Sequence, residues 1–347
     1  WRANPIVNIL ILHSQVPFVR GGAEVLVEGL RDALIEYGHT ADIVALPLGW
    51  NPPEKLLTTA LAWRLLDATS FNARAVDRVI CTKYPTWAVE HPNKALWLIH
   101  QHRQAYDLFG AQFSEFGVDT RSRALRERVV DIDRAGIGEC RPRYAISRNV
   151  AGRLRRYCGI DAQPLYPPVP RSGLRAERYD PFVLSVARLD ASKRIDLAIQ
   201  ALAESRSALR LVVVGDGPDA ASLRMLAERT GVADRVDFLG RISDDRLREL
   251  YNTCRAVYYA PVDEDYGYTT VEALSAAKPV LTTDDAGGVL EFVDHRVDGF
   301  VTNADPTSLA ESICAVGDER IARQLGGHGP DRVAALSWDA VIEALAG

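Results

Sequence analysis

From Ile6 to Leu12 the chain reads Ile-Val-Asn-Ile-Leu-Ile-Leu, an almost unbroken apolar run of the kind that a parallel strand buried on both faces requires. A loop holding Gly21-Gly22 follows. From Ala23 to Tyr37 apolar residues fall at helical spacing (Leu26, Leu30, Leu34), Gly38 suits a helix end, and Asp42 to Leu46 reads as the next strand. This predicts a βαβ unit. The alternation returns after Pro181, with strands predicted over 182–187, 209–215, 235–239, 256–260 and 279–282, and helices over 195–204, 220–229, 244–252 and 270–277. Strand and helix alternating in this way predict a second parallel sheet with helices on both faces. Between the halves, Gln163-Pro164-Leu165-Tyr166-Pro167-Pro168-Val169-Pro170 carries four prolines, which disfavour helix and predict a stiff, extended connector. The expected domains are therefore 1–166 and 171–330, and a chain of 347 residues is long enough for two cores.

Charge and cysteine usage narrow the function classes. A net charge of −5 argues against a dedicated nucleic-acid binder, whose footprint is basic. Arginines nonetheless recur densely from Arg121 to Arg156, against only Glu127, Asp131, Asp133 and Glu139. Two readings stand side by side: solvated helix faces whose arginine stems cover apolar surface, or a face for a phosphate-bearing acceptor or an anionic membrane surface. The five cysteines are widely separated and odd in number, which reads as reduced thiols in a cytoplasmic protein. No apolar run approaches the roughly 20 residues of a spanning helix, and no signal peptide is evident at Trp1.

Open α/β sheets bind ligands at the carboxyl ends of their strands, so the loops there are where chemistry is sought. Gly21-Gly22 allow close backbone approach, and the helix after them offers amide donors to an anion; the full G-x-G-x-x-G spacing is missing, which counts against a dinucleotide dehydrogenase. After the strand at 182–187, Arg188 and Lys193 can neutralise a diphosphate without a metal. Gly215-Asp216-Gly217 closes another strand with a tight turn. The segment Pro261 to Leu274 places Glu264 in a loop and Glu272 one turn into a helix, with a tight turn at Gly267 and an N-cap expected at Thr269 or Thr270. Carboxylates flanking a helix tip suit a sugar nucleotide, since sugar and ribose hydroxyls ask for acceptors and the diphosphate asks for donors. The alternative reading of Asp263-Glu264-Asp265 is a D-x-D site holding a divalent cation; it comes late in the chain, and Arg188 and Lys193 make the cation redundant. Leu96-Trp97-Leu98-Ile99-His100-Gln101-His102 ends a strand in two histidines with no third ligand nearby, so a histidine touching the sugar is expected rather than a metal, with an inert loop histidine as the alternative.

Taken together, Gly21-Gly22-Ala23-Glu24, His100, Tyr166-Pro167-Pro168-Val169, Arg188 with Lys193, Val214-Gly215-Asp216-Gly217-Pro218, the Glu264/Glu272 pair and Trp338 resemble the family 4 retaining glycosyltransferases of GT-B fold, over nearly the whole chain. The resemblance implies an α/β architecture of two Rossmann-like domains facing each other across a deep cleft, with a last helix, about 335–347, returning to the first. It also implies site roles. Gly21 and Gly22 would approach the donor phosphate or the acceptor, His100 would lie beside the donor sugar, and Arg188 and Lys193 would bind the diphosphate. Glu264 would contact sugar hydroxyls, helped by backbone amides of Tyr266, Gly267, Tyr268 and Thr269, while Glu272 would hold the ribose. Arg241 and Ile242 would meet the base, and Gly215 would line the donor site. No cofactor is implied beyond the substrate, a nucleotide diphosphate-sugar, and the acceptor would be a glycan, a lipid-linked intermediate or a small molecule. Arg194 stands where that family often has glycine, and Tyr266 where phenylalanine is common. A nucleotide-sugar 2-epimerase, a sugar phosphorylase or a non-catalytic nucleotide binder on the same architecture are the alternatives.

Overall fold

The computed structural model describes residues 6–110 and 116–347; Trp1 lies outside them. The chain divides into two compact units, one running to Pro168 and including Ser337–Gly347, the other Val169–Leu336.

In the first unit the order is β1 (Asn8–Gln15), α1 (Gly22–Glu36), β2 (Thr40–Pro47), α2 (Lys55–Leu65), a small antiparallel pair β3 (Ser70–Phe71) and β4 (Arg74–Ala75), β5 (Arg78–Lys83), β6 (Lys94–His100), α3 (Thr120–Glu139), β7 (Arg143–Ala145), α4 (Arg148–Cys158) and β8 (Gln163–Pro164). Six of these strands form one parallel sheet in the order β2-β1-β5-β6-β7-β8. The apolar run seats β1 in the middle of the core, with Ile9, Ile11 and Leu12 buried, and α1 covers it with Leu26, Leu30 and Leu34. The strand starts two residues later than the apolar run, since Ile6 is 76% exposed, and it continues past Leu12 through His13 and Ser14, both buried although polar. The proline-rich stretch also differs from expectation. Its first residues are not connector but the edge strand β8, paired with Tyr144 and Ala145, and proline is tolerated at an edge because only one side of the strand must donate.

The second unit runs β9 (Phe182–Val186), α5 (Ile195–Glu204), β10 (Arg210–Val214), α6 (Ala220–Arg229), β11 (Val236–Gly240), α7 (Asp244–Thr253), β12 (Ala256–Tyr258), α8 (Tyr268–Ser275), β13 (Val280–Thr283), β14 (Gly299–Thr302), α9 (Pro306–Gly317), α10 (Glu319–Gly326) and α11 (Gly329–Val333). Its strands are parallel in the order β11-β10-β9-β12-β13-β14. The chain therefore builds outward from β9 in one direction, then returns to β9's other edge with β12. That reversal falls between β9 and β12, and the carboxyl ends of strands at such a point are where doubly wound sheets hold ligands. The core beneath it joins Val183, Leu211, Val213 and Tyr258 of the sheet to Ile199, Leu202, Leu309 and Ile313 of α5 and α9.

The last helix, α12 (Trp338–Ala346), belongs to the first unit. Trp338 lies edge-on to Trp97 at 6.3 Å and presses on α1 at Gly29, where a Cβ would stand 2.8 Å from the indole. Arg78 donates to the carbonyl of Leu345 at 2.5 Å and so pins the chain's end to β5. Among the described residues no helix is long and apolar enough to cross a membrane.

Candidate active site

In the second unit the loop after β9 is shaped by two devices. Asp190 accepts from the amide and the hydroxyl of Ser192, at 3.0 and 2.5 Å, and starts one 3₁₀ turn over Ala191–Lys193. Arg194 ends that turn at φ +49°, the left-handed region where glycine is at ease. Arginine is held there by its own guanidinium, which donates to the carbonyls of Ala260 (2.8 Å) and Pro261 (2.9 Å), to Thr283 (3.0 Å) and to Asp285 (2.6 Å). It thus ties the ends of β12 and β13 to the loop, an added constraint where glycine would provide only backbone freedom.

Lys193, one residue earlier, turns its ammonium onto Glu264. The phenol of Tyr259 donates to the same carboxylate oxygen at 2.7 Å, and burial together with Glu264 raises that phenol well above its ordinary range, keeping its proton in place. The backbone of Glu264 is fixed as well: its amide donates to Ala286 (3.1 Å) and its carbonyl accepts from Gly288 (2.7 Å). Lys193 follows β9 and Glu264 follows β12, so the pair spans the reversal point of the sheet.

The helix tip beside them starts differently from expectation. Neither Thr269 nor Thr270 is the N-cap of α8; Gly267 is, at φ +87°, and no side chain caps the helix. A Cβ on Gly267 would lie 2.9 Å from the Tyr259 ring, so sterics and φ both demand glycine. The Thr269 hydroxyl is spent bracing β9, donating to Val186 at 2.9 Å. Without a capping side chain, the first amides of α8 and its positive dipole end suit an anion. Tyr266 packs edge-on between Tyr268 (5.5 Å) and Phe292 (5.4 Å), which is a core contact.

Glu272 is buried, 4% exposed, and pairs with Arg171 at 3.2 Å; Arg171 also reaches Asp244 at 3.1 Å. Burial raises the Glu272 carboxyl above its ordinary value, and Arg171 acts against that shift. Arg188 is more loosely held, half exposed and 3.6 Å from Asp190 on its own loop. Gly215 serves the same loop from below. At φ +129° its absent Cβ would fall 1.9 Å from the Ala187 carbonyl oxygen, so glycine is required by backbone contact with the residue before Arg188. Arg241, exposed, and Ile242, half-buried, follow the edge strand β11, two strands away from β9. The structure brings together Lys193, Glu264, Tyr259 and the tip of α8; Arg171 and Tyr259 were absent from the sequence reading.

In the first unit His100 ends β6 and donates from Nδ1 to the Gln101 carbonyl at 2.8 Å. The second histidine, His102, is buried between Tyr84 and Phe116, and burial together with His100 lowers it to about 4, so it is neutral at pH 7. Gln101 is anchored by Asp133 on α3 at 3.0 Å, where Trp87 (2.9 Å) and Tyr106 (2.5 Å) also donate. Many of the arginines over 121–156 have defined partners: Arg121 pairs with Glu54, Arg126 donates to the Ala105 carbonyl, Arg134 to Tyr157, Arg141 to Gly138, and Arg153 lies 3.6 Å from Asp107.

At the Gly21-Gly22 loop, Glu24 accepts from the Gly21 amide at 2.7 Å, so that amide is already committed inside the protein. Burial pushes the Glu24 carboxyl up, but His13, Lys83 and the Gly21 amide outweigh it and hold the group at about 2. A depressed carboxylate contributes stability that is present above its unfolded value of 4.5 and is lost as pH falls toward 2. Glu24→Gln is therefore expected to cost about 2 kcal/mol at pH 7, part of the linkage being offset by the burial of His13 and Lys83, and the gap to the parent should narrow at pH 4. Urea unfolding at both pH values checks this; a gap that stays constant would contradict it.

Residues 171–324 match the family model described as Glycosyl transferases group 1. A GDP-mannose-dependent alpha-(1-6)-phosphatidylinositol monomannoside mannosyltransferase of Mycobacterium tuberculosis is 32% identical over 209 residues, covering 54% of this chain and 53% of that protein. The chain spans between 18% and 53% of the length of curated relatives it matches. Among solved structures, sucrose-phosphate synthase from Thermosynechococcus elongatus superposes with a TM-score of 0.71 at 21% identity, over 96% of each chain. HepE of Anabaena, solved with UDP and glucose, gives 0.67 at 18% identity, again over 96% of each. The chain has the GT-B fold of these neighbours, and its second unit carries the match to the Glycosyl transferases group 1 model.

Proposed function

We propose that this chain, a relative of the family 4 glycosyltransferases, is a retaining, metal-independent glycosyltransferase that moves a sugar from a nucleotide diphosphate-sugar to a glycan, lipid-linked or small-molecule acceptor. The observation that carries the reading is the Lys193–Glu264 pair beside the side-chain-free tip of α8, at the reversal point of the second sheet. Lys193, Arg188 and the first amides of α8 would receive the diphosphate, and Glu264 the hydroxyls of the transferred sugar. Glu272 keeps lone pairs for the ribose beside its ion pair with Arg171, since a carboxylate accepts about four hydrogen bonds. Charge builds on the departing nucleoside diphosphate in the transition state, so donors fixed in advance around it supply the main catalytic effect. Retention asks the acceptor to attack from the leaving-group side, where a donor phosphate oxygen can take its proton.

The site of action in this reading is the cytoplasm, at the inner face of a membrane, with the exposed Arg128, Arg155 and Arg156 supporting contact with an anionic surface. Binding to phosphatidylglycerol vesicles that persists undiminished from 50 to about 300 mM salt would count against an electrostatic contact. For the donor, a thermal-shift series with UDP, GDP, UDP-glucose and GDP-mannose is the direct test, because a ligand at 100 times its Kd stabilises the folded state by about 2.7 kcal/mol. At least one nucleotide should raise Tm, and its sugar conjugate should then be consumed only when an acceptor is supplied. Conversion of the donor alone would favour an epimerase, and no shift from any nucleotide would defeat the proposal.

A further inference from the structure

The first unit also has a reversal point, between β1 and β5, and it is filled by a polar cluster where an apolar core would be the ordinary outcome. His13 of β1, Thr82 and Lys83 of β5, and Glu24 of α1 are all less than 10% exposed. His13 Nε2 lies 3.2 Å from Glu24 Oε1, and Lys83 Nζ reaches the same oxygen at 3.4 Å. The other face of the imidazole meets Thr82 Oγ1 at 3.3 Å, and that hydroxyl donates to the Leu12 carbonyl at 2.7 Å. Glu24 Oε2 is directed away from the cluster and takes the Gly21 amide. Only half of a capping box is present, since the N-cap is glycine and offers no side chain in return. The conformation of the Gly21-Gly22 loop is thus set by one carboxylate, whose own position is set by two strands of the sheet.

We propose that Glu24 is the positioning residue of the Gly21-Gly22 loop, and that His13 and Lys83 hold it in place from β1 and β5. This rests on the glycosyltransferase reading, in which that loop approaches the donor phosphate or the acceptor. Burying three ionisable groups is costly unless they satisfy one another, and here the ammonium and the carboxylate neutralise each other while His13 lies between the carboxylate and the Thr82 hydroxyl. Burial lowers both His13 and Lys83 from their ordinary values, with Glu24 acting against the shift in each. Besides these groups, Glu28 on the same helix is the other charge that acts on His13.

Two variants test the relay. Losing a hydrogen bond to a charged acceptor is worth about a tenfold change or more in local opening, so in Glu24→Ala amide exchange over 16–27 should accelerate by that factor. Lys83→Met, which touches no atom of Gly21, should accelerate the same amides, because Glu24 then loses its fixed partner. In both, kcat should fall about tenfold or more, through misplacement of the loop. Affinity for the nucleoside diphosphate, measured by calorimetry, should fall far less than kcat, because Lys193, Arg188 and the tip of α8, its main proposed ligands, lie on the second unit. Where Glu24→Ala does not fold, Glu24→Gln keeps an oxygen for the Gly21 amide but no charge for Lys83, and the same amides should still exchange faster than in the parent. Parent-like exchange in Lys83→Met, or a kcat unchanged in the loosened variants, overturns the proposal. A parent protein that binds no nucleoside diphosphate overturns instead the function on which it rests, and leaves the exchange result standing.

Discussion

Lys193→Ala is expected to lower turnover about a hundredfold or more at saturating donor, the loss seen when a donor aimed at developing transition-state charge is removed. Lys193 is held by a defined partner, Glu264, in the loop that leads into the uncapped α8. The substitution removes charge from the proposed diphosphate position and leaves Glu264 with Tyr259, whose 2.7 Å bond keeps the carboxylate in place. KM for the donor should therefore rise less than kcat falls. Lys193→Arg restores charge but not the point geometry of an ammonium, and should recover only part of the rate. Initial rates over a donor series separate the two parameters. A kcat within a few-fold of the parent would remove Lys193 from the reaction and leave Arg188 and the helix tip as the stabilising elements of the proposed site.

Lys193 and Glu264 were legible because each lies in the first loop after a strand that the apolar pattern marks plainly, and the fold law for open sheets directs attention to such loops. The strand and helix alternation from Phe182 to Thr283 was legible for the same reason. Beyond Thr283 the signal fades. β14 offers only Gly299-Phe300-Val301-Thr302, and α10 and α11 span eight and five residues, too short to display a helical period clearly. In β1 the pattern stops at Leu12 although the strand continues, because His13 and Ser14 are buried for their hydrogen bonds rather than their apolarity. Arg171 gave no local signal at all. Its meaning lies in Glu272 and Asp244, which folding brings to it from far along the chain. The threonines at 269 and 270 were read as caps from residue preference, but the strained turn at Gly267 starts the helix earlier and turns the Thr269 hydroxyl toward β9. In the segment from Arg121 to Arg156 composition reports charge and is silent about partners, so the carbonyls and carboxylates that occupy many of those arginines could not be foreseen.

Gly215→Ala should have the largest effect on stability. Two penalties coincide there: φ is +129°, which an L side chain rarely adopts, and the new Cβ would lie 1.9 Å from the Ala187 carbonyl oxygen, a backbone atom with little freedom to retreat. That carbonyl belongs to the stretch between β9 and Arg188, which is stitched to the Gly215 turn by bonds from Ala187 to Val214 (3.1 Å) and from Leu189 to Asp216 (3.0 Å). Strain and overpacking each cost on the order of 1 to 3 kcal/mol, so a combined loss of about 3 kcal/mol or more is expected. Gly159→Ala is the matched control, with φ +69° but nothing within 4 Å of its Cβ, and should cost only about 1 to 2 kcal/mol. The two variants should part further in binding. Gly215→Ala can fold only by displacing Ala187, and with it Arg188, so its nucleoside diphosphate affinity should fall together with its Tm. Gly159 ends α4 in the other unit, and its variant should bind as the parent does. Equal unfolding midpoints for the two variants would mean that the loop before Arg188 yields readily, and that Gly215 is dictated by φ alone.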